Sequence, residues 1–399
     1  MKKVLKPEIR FKGFTDAWIQ CKVGELFELD GGGFVSKYEI QNNPGKYPVY
    51  SSQTTNNGTM GYISSYKYDL ECLTWTTRGY AGVVFYRNEK FSVSNSGLLI
   101  FKRNIIYNYR YFLFVFQMAD IQKSMTVGNI PQFTVEMMKE AVLTYSNNLN
   151  EQRKISQLFY TLDKIVSLYE RKISLLEKIK KSFLESMFTK ENEAKPSIRF
   201  NLFSDIWKSI KLSDFGFFKG STVDKVIRNQ EHKVAMLNYM DVFTKKEIKY
   251  SNLKKNSATK EQIKNFNILE NDVFLTPSSE TAEDIGKFST SAKTIKDAVY
   301  SYHLVRYRAY TKIFSTYYLD YAFLNSNNKS VLTKNAQGAQ RYTLSLAFLN
   351  ELSLKAPKIQ EQDKISTFFT KVDLTHAQLK RKLNLIKNIQ KSVLNKMFV

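Results

Sequence analysis

Apolar residues recur at alternating spacings of four and three from Ile155 through Phe159, Leu162, Val166, Tyr169, Ile173 and Leu176, and again at Phe183 and Met187. Kept up for about five heptads, this pattern draws one seam along a helix and predicts a coiled-coil partner. Lys180 interrupts the seam. A second segment, beginning at Glu361, holds the same register through Ile365, Phe369, Val372, Leu379, Leu383, Ile386, Val393 and Met397, with His376 and Gln390 as its polar members. Gln390 occupies the place of Lys180. A polar residue there either fixes register or faces a partner, and a lysine can equally snorkel past packed neighbours. Elsewhere the period is two. ECLTWTTRGYAGVVFY and KFSVSNSGLLIFK alternate between glycines as half-buried strands do. ILENDVFLTPSSETAEDIG reads as a short strand, a turn and a capped acidic stretch. Polar loops, SSQTTNNGTMGY (51–62) and KNAQGAQRY (334–342), punctuate these regions. The pattern predicts an α+β fold, two mixed-sheet regions with two long helices.

The chain repeats itself. PEIRFKGFTDAWIQCKVGEL aligns without a gap on PSIRFNLFSDIWKSIKLSDF at an offset of 189 residues, from Pro7 to Pro196. Ile9/Ile198, Arg10/Arg199, Phe11/Phe200, Asp16/Asp205 and Trp18/Trp207 are identical pairs. The two helical segments also repeat, at an offset of 210 from Glu151 to Glu361, sharing Glu-Gln, Lys-Ile-Ser, Asp163/Asp373, Arg171-Lys172/Arg381-Lys382 and Met187-Phe188/Met397-Phe398. The organisation is head, variable region, long helix, then the same again, with expected boundaries of 1–150, 151–190, 191–360 and 361–399. No sustained similarity links the two variable regions. Trp18 and Trp207 read as core anchors of the shared head. A tandem repeat whose helices pair antiparallel acquires a pseudo-two-fold axis.

Charge narrows the function. With 60 Lys+Arg against 37 Asp+Glu, the formal charge is +23, which favours a polyanion: nucleic acid first, an anionic membrane surface second. Two cysteines, Cys21 and Cys72, exclude a disulfide scaffold and suit a reducing compartment. No apolar run approaches the ~20 residues of a membrane span, and MKKVLKPEIR has no apolar stretch behind its charges. A cytoplasmic protein without membrane contact is expected. Catalytic motifs are missing. There is no G-x-x-x-x-G-K-[ST] loop, and Gly31-Gly32-Gly33 lacks dinucleotide spacing. His232, His303 and His376 stand far from one another and from both cysteines, so neither a metal site nor a nucleophile pair is assigned. Glu283-Asp284 reads as a helix start.

With its two IRF…F…D…W heads, its two Glu-Gln-x-Lys-Ile-Ser helices and dissimilar regions between them, the whole chain resembles the specificity subunit of type I restriction–modification systems. YPVYSSQTTNNGTMGYI and NDVFLTPSSETAEDIG look like passages of that family's target-recognition domains. Family members often carry a proline shortly before each Glu-Gln, as Pro357 does; the first copy has TYSNNLN instead. The resemblance implies a non-catalytic subunit whose two target-recognition domains, separated by a long antiparallel two-helix coiled coil, each read half of a split double-stranded DNA target. It implies two partner methyltransferase subunits using S-adenosylmethionine, and restriction/translocase subunits using ATP and Mg, with no cofactor in this chain. Helices of roughly 57 Å then predict a target of about 12–17 base pairs with an unread centre of about 5–8. An autonomous DNA-binding regulator and a structural coiled-coil adaptor are the rival readings. For DNA contacts, polar residue types in loops between strands select Gln53, Asn56, Asn57, Arg78 and Tyr80 in the first region. In the second they select Ser278, Ser279, Thr281, Gln337, Gln340 and Arg341. Beyond the seam, Leu168, Leu175, Ile179, Leu385 and Ile389 widen the apolar stripe past what two helices need and are the expected partner-binding residues.

Overall fold

The computed structural model describes residues 5–119, 121, 132–244 and 248–398. These fall into two units, Met1–Glu170 with Arg381–Val399 (unit 1) and Arg171–Lys380 (unit 2). Unit 1 holds a six-stranded sheet in the order Phe27–Asp30, Ser96–Phe101, Tyr68–Thr76, Val84–Ser94, Pro44–Ser51, Thr59–Ile63. Its neighbours are antiparallel except Pro44–Ser51 beside Val84–Ser94, where Val49 faces Ser92. Unit 2 holds two four-stranded sheets. One runs Gly216–Gly220, Val305–Ala309, Val273–Leu275, Phe288–Thr290; the other runs Asn267–Ile268, Ile295–Tyr300, His232–Leu237, Lys254–Ala258. Here too the parallel pair is His232–Leu237 with Ile295–Tyr300.

Taken in this order, the second unit repeats the first with its two longest strands each cut in two. Tyr68–Thr76 corresponds to Asn267–Ile268 plus Val273–Leu275, and Val84–Ser94 to Phe288–Thr290 plus Ile295–Tyr300. The first cut has a visible cause. Asp272 is buried, accepts the Leu269 amide (2.7 Å) and takes two bonds from the Arg308 guanidinium (2.6 Å each), which holds a turn in mid-strand. The shared strand order is invisible in the amino-acid sequence, because these positions conserve alternation and not identity.

The head of each repeat is locked to a helix in the same way. Glu151, fully buried at the start of the first long helix, is gripped by the Arg10 guanidinium at 2.5 and 2.8 Å. Arg199 grips buried Glu361 at 2.7 Å twice. Trp18 and Trp207 are buried, each edge-on to the phenylalanine just past the end of a long helix: Phe398 in unit 1 (5.6 Å) and Phe188 in unit 2 (6.1 Å). The Ile9 amide donates to the Lys396 carbonyl and the Ile198 amide to that of Ser186, both at 2.9 Å. Lys396 and Ser186 are repeat-mates, so one joint is built twice.

The first long helix spans Leu149–Ser186 and the second Ile359–Met397. The absent proline before the first is made good by Asn148, whose side-chain oxygen accepts the Asn150 and Glu151 amides at 3.0 and 3.2 Å. Gln152 and Gln362 then make the same pair of bonds, donating to the Ser146 and Pro357 carbonyls and accepting the Asn108 and Ser315 amides. Within unit 1, Gln390 donates to Asp163 (2.6 Å) and Lys387 meets Glu170 (2.7 Å). Within unit 2, Lys180 pairs with Asp373 and His376 meets Glu177 (2.8 Å). In each unit the partner number falls as the other rises, so the helix segments are antiparallel. The polar seam positions, Lys180 and Gln390, both meet the repeated aspartate. A polar contact repeated at one seam position favours a single register.

Removing one partner of a buried ion pair strands the other. Arg10→Ala and Arg199→Ala are each expected to destabilise the chain by about 3 kcal/mol, with Arg10→Lys recovering only part because lysine cannot make the paired fork. Urea unfolding followed by circular dichroism measures this.

Candidate nucleic-acid interface

In unit 1 the register places Asp30, Ser51, Thr76 and the Ser94–Ser96 turn at one end of the sheet. The loops leaving that end converge on Asn95, which has a left-handed φ of 53°. Its amide donates to the Gly33 carbonyl (3.0 Å), and its carbonyl accepts the hydroxyls of Thr77 (2.8 Å) and Ser52. Ser52 also accepts the Thr77 amide at 2.8 Å, and Ser94 bonds both the amide and the carbonyl of Val35. Gly32 is required here: φ is +75°, and a Cβ would meet the Ser96 carbonyl at 2.2 Å. Three loops, 31–35, 52–58 and 77–80, are thus tied into one surface.

The predicted residues of this unit all lie on it. Asn56 and Asn57 are exposed at a tip with φ of 48° and 52°, a conformation asparagine tolerates. Arg78 is exposed and bridges Gln132, and Tyr80 is 78% exposed. Gln53 is half-buried and its amide is spent on the Thr59 carbonyl, so it braces the loop. Two residues went unnoticed in the sequence. Phe34 stands 71% exposed on the glycine loop. Arg87 is buried beneath the 52–58 loop, 3.4 Å over the Tyr50 ring and donating to Thr74 at 3.0 Å. Burial brings its pKa down to about 10. Alternation alone could have placed Arg87 inward.

Unit 2 ties the equivalent connections together through backbone bonds and one tyrosine hydroxyl. The Ser301 amide donates to Leu237 and the Tyr302 amide to Val223, both at 3.0 Å, while the Tyr239 hydroxyl reaches the Ser278 carbonyl at 2.8 Å. Ser278–Ser279 pairs with Tyr342–Thr343, Arg341 donates to the Ser278 hydroxyl (3.3 Å), and Gln337 exchanges two backbone bonds with Thr343. Ser278, Gln337 and Arg341 are therefore brought together. Gln340 is exposed two residues before Tyr342. Exposed Thr281 donates to Asp284 (3.2 Å), whereas Ser279 is buried and accepts the Thr281 amide, which makes it a support of the turn. Beside Arg341 opens a concavity of about 530 Å³ lined by Lys225, Asn238, Tyr239, Lys254, Lys255, Asn256 and His303. None of these seven was selected from the sequence, since they come from four separate segments. Partial burial, with Lys225 and Arg341 nearby, lowers the pKa of His303.

The helix residues expected to bind partners are all exposed: Leu168 (57%), Leu385 (60%) and Ile389 in unit 1, Leu175 (55%) and Ile179 in unit 2. Arg171, Leu175, Ile179 and Ser182 follow helical spacing on unit 2, and Arg381, Leu385, Ile389 and Ser392 repeat them identically on unit 1. Ile9 and Ile198, bonded to the ends of these helices, are 44% and 45% exposed. One exposed face is thus built twice.

Among the described residues, no cluster of three His, Cys, Asp or Glu side chains is arranged to hold a metal ion. No helix among them is long and apolar enough to cross a membrane. The family model described as type I restriction modification DNA specificity domain matches residues 15–178 and, again, 205–388. The chain belongs to this family. This specificity protein is 34% identical over 201 residues to a putative type I specificity subunit of Mycoplasma pneumoniae, covering 49% of this chain and 54% of that one. It is 34% identical over 166 residues to the type I restriction enzyme MpnII specificity subunit of the same organism, covering 41% and 48%. The chain spans about half the length of these curated relatives. The crystal structure of a type I restriction-modification S subunit from M. genitalium superposes with a TM-score of 0.66 at 14% identity, over 99% of both chains. A second, from work on complex assembly and conformational transition of the type I R-M system, gives 0.54 at 11%, over 96% of this chain and 97% of its own. Both share the fold of the specificity protein.

Proposed function

We propose that this chain is the non-catalytic DNA-reading subunit of a type I restriction–modification complex, with each unit reading one half of a bipartite, asymmetric target across an unread spacer. One observation carries the reading: a single strand order presents the same set of tied loops twice, with different side chains each time. Asn56, Asn57 and Arg78 offer base-edge donors and acceptors in unit 1. Arg341 does so in unit 2, where Lys225, Lys254 and Lys255 suit phosphates. Different loops on equivalent scaffolds read different sequences.

The duplicated helix face supports two copies of one partner, which in this family setting are methyltransferase subunits. That face also favours the partnered reading over an autonomous regulator, which has no use for two identical exposed apolar surfaces. S-adenosylmethionine would then be bound by the methyltransferase, and ATP and Mg by restriction/translocase subunits. A double charge substitution, Leu175→Asp with Leu385→Asp, is expected to abolish co-purification of the partner while leaving both units folded, since both side chains are more than half exposed. Retention of the full complex would contradict the partner assignment. For DNA, about 6–10 phosphate contacts would weaken binding by ~10³–10⁵ between 50 and 200 mM salt. A titration of the assembled complex checks this, and a log–log slope near zero would contradict the reading.

A further inference from the structure

We infer that His303 takes up a proton when a DNA phosphate enters the basic concavity of unit 2, so that reading of this half-site is coupled to pH. The inference rests on the reading above, that this end of unit 2 faces DNA. His303 lies in the turn between Ile295–Tyr300 and Val305–Ala309, the place held by the Asn95 turn in unit 1. Its ring packs 3.9 Å from that of Tyr302 and is partly buried, so it is fixed at the concavity's wall.

Charges reach this space from every element around it. Lys225 comes from the loop after Gly216–Gly220, Lys254 and Lys255 from the edge strand, and Arg341 from the segment paired with Ser278–Ser279. The helix Tyr239–Phe243 adds Tyr239 and Asp241, and the Asp241 carboxylate accepts the Asn238 amide at 3.0 Å as part of that helix's cap. Four cations therefore stand against one carboxylate already engaged in capping. Partial desolvation, with Lys225 and Arg341 beside it, pushes the pKa of the imidazole down. A phosphate seated among the four cations offsets part of their field and sets a negative charge beside the ring. Both effects favour the imidazolium.

The direction follows from linkage. Binding raises the pKa, so the added affinity is fully present below the free-state pKa and is lost as pH rises through the bound-state pKa. One proton limits the change to about tenfold per pH unit. The assembled complex, containing the full chain and its partner subunits, is titrated with a duplex bearing its methylated motif at fixed ionic strength from pH 5.5 to 8.5. Wild type should bind about three- to tenfold more tightly at pH 6 than at pH 8 relative to His303→Gln, with the two converging at pH 8. A wild-type to H303Q ratio that stays constant over this range overturns the proposal. Calorimetry of the wild type alone, in two buffers of different ionisation heat, needs no variant: net proton uptake near pH 7 is expected, and zero uptake overturns it. Absence of sequence-specific binding by the wild type at any pH would instead count against the DNA-reading function itself.

Discussion

Glu151 and Glu361 are carboxylates wholly removed from water at the first turn of each long helix, and neither is tolerable there without its arginine. Arg10 and Arg199 supply the missing charge through paired forks, and in doing so clamp each head onto a helix. The clamp also brings Trp18 against Phe398 and Trp207 against Phe188, so an apolar core closes around an ionic joint. Unit 1 is complete only because residues from the chain's far end, Arg381 onward, lie in it. The strand regions and the loops that they carry are mounted on this joint.

A fixed joint leaves the sheets free to diverge. Between the two units the strand order survives while the side chains differ, and even a strand broken by a buried Asp272–Arg308 pair does not disturb it. The loops at one end of the sheets differ as well: unit 1 ties them through Asn95, Ser52 and Thr77, and unit 2 through Tyr302, Tyr239 and Ser301. Neutral hydroxyls and amides make up the first set, and the second faces a basic concavity. The same strand order can therefore present two chemistries.

Much of this was legible in the residues. The repeats gave the heads, the heptad seam gave paired long helices, and the flanking leucines and isoleucines gave the exposed faces, because each signal is local and periodic; the antiparallel sense came from the family resemblance. Lys180 and Gln390 were visible as polar seam positions, but their partners Asp373 and Asp163 emerge only once the helices are paired. The common topology of the variable regions was not legible: strands constrain alternation, and alternation survives complete replacement of side chains. Nor was the concavity of unit 2, since Lys225, Tyr239, Lys255 and His303 are neighbours only through the sheet. Loop position identified Asn56, Asn57 and Arg341 as exposed, yet could not separate them from Gln53 and Ser279, whose polar atoms serve the turns themselves.

We propose that two independent readers share one frame. Exchange of residues from about 30 to 145 for the corresponding region of another family member, followed by single-molecule mapping of methylated adenines in the host genome, tests it most directly. The frame described here predicts that one half of the methylated motif changes while the other half and the gap between them are preserved. A motif altered in both halves would contradict it.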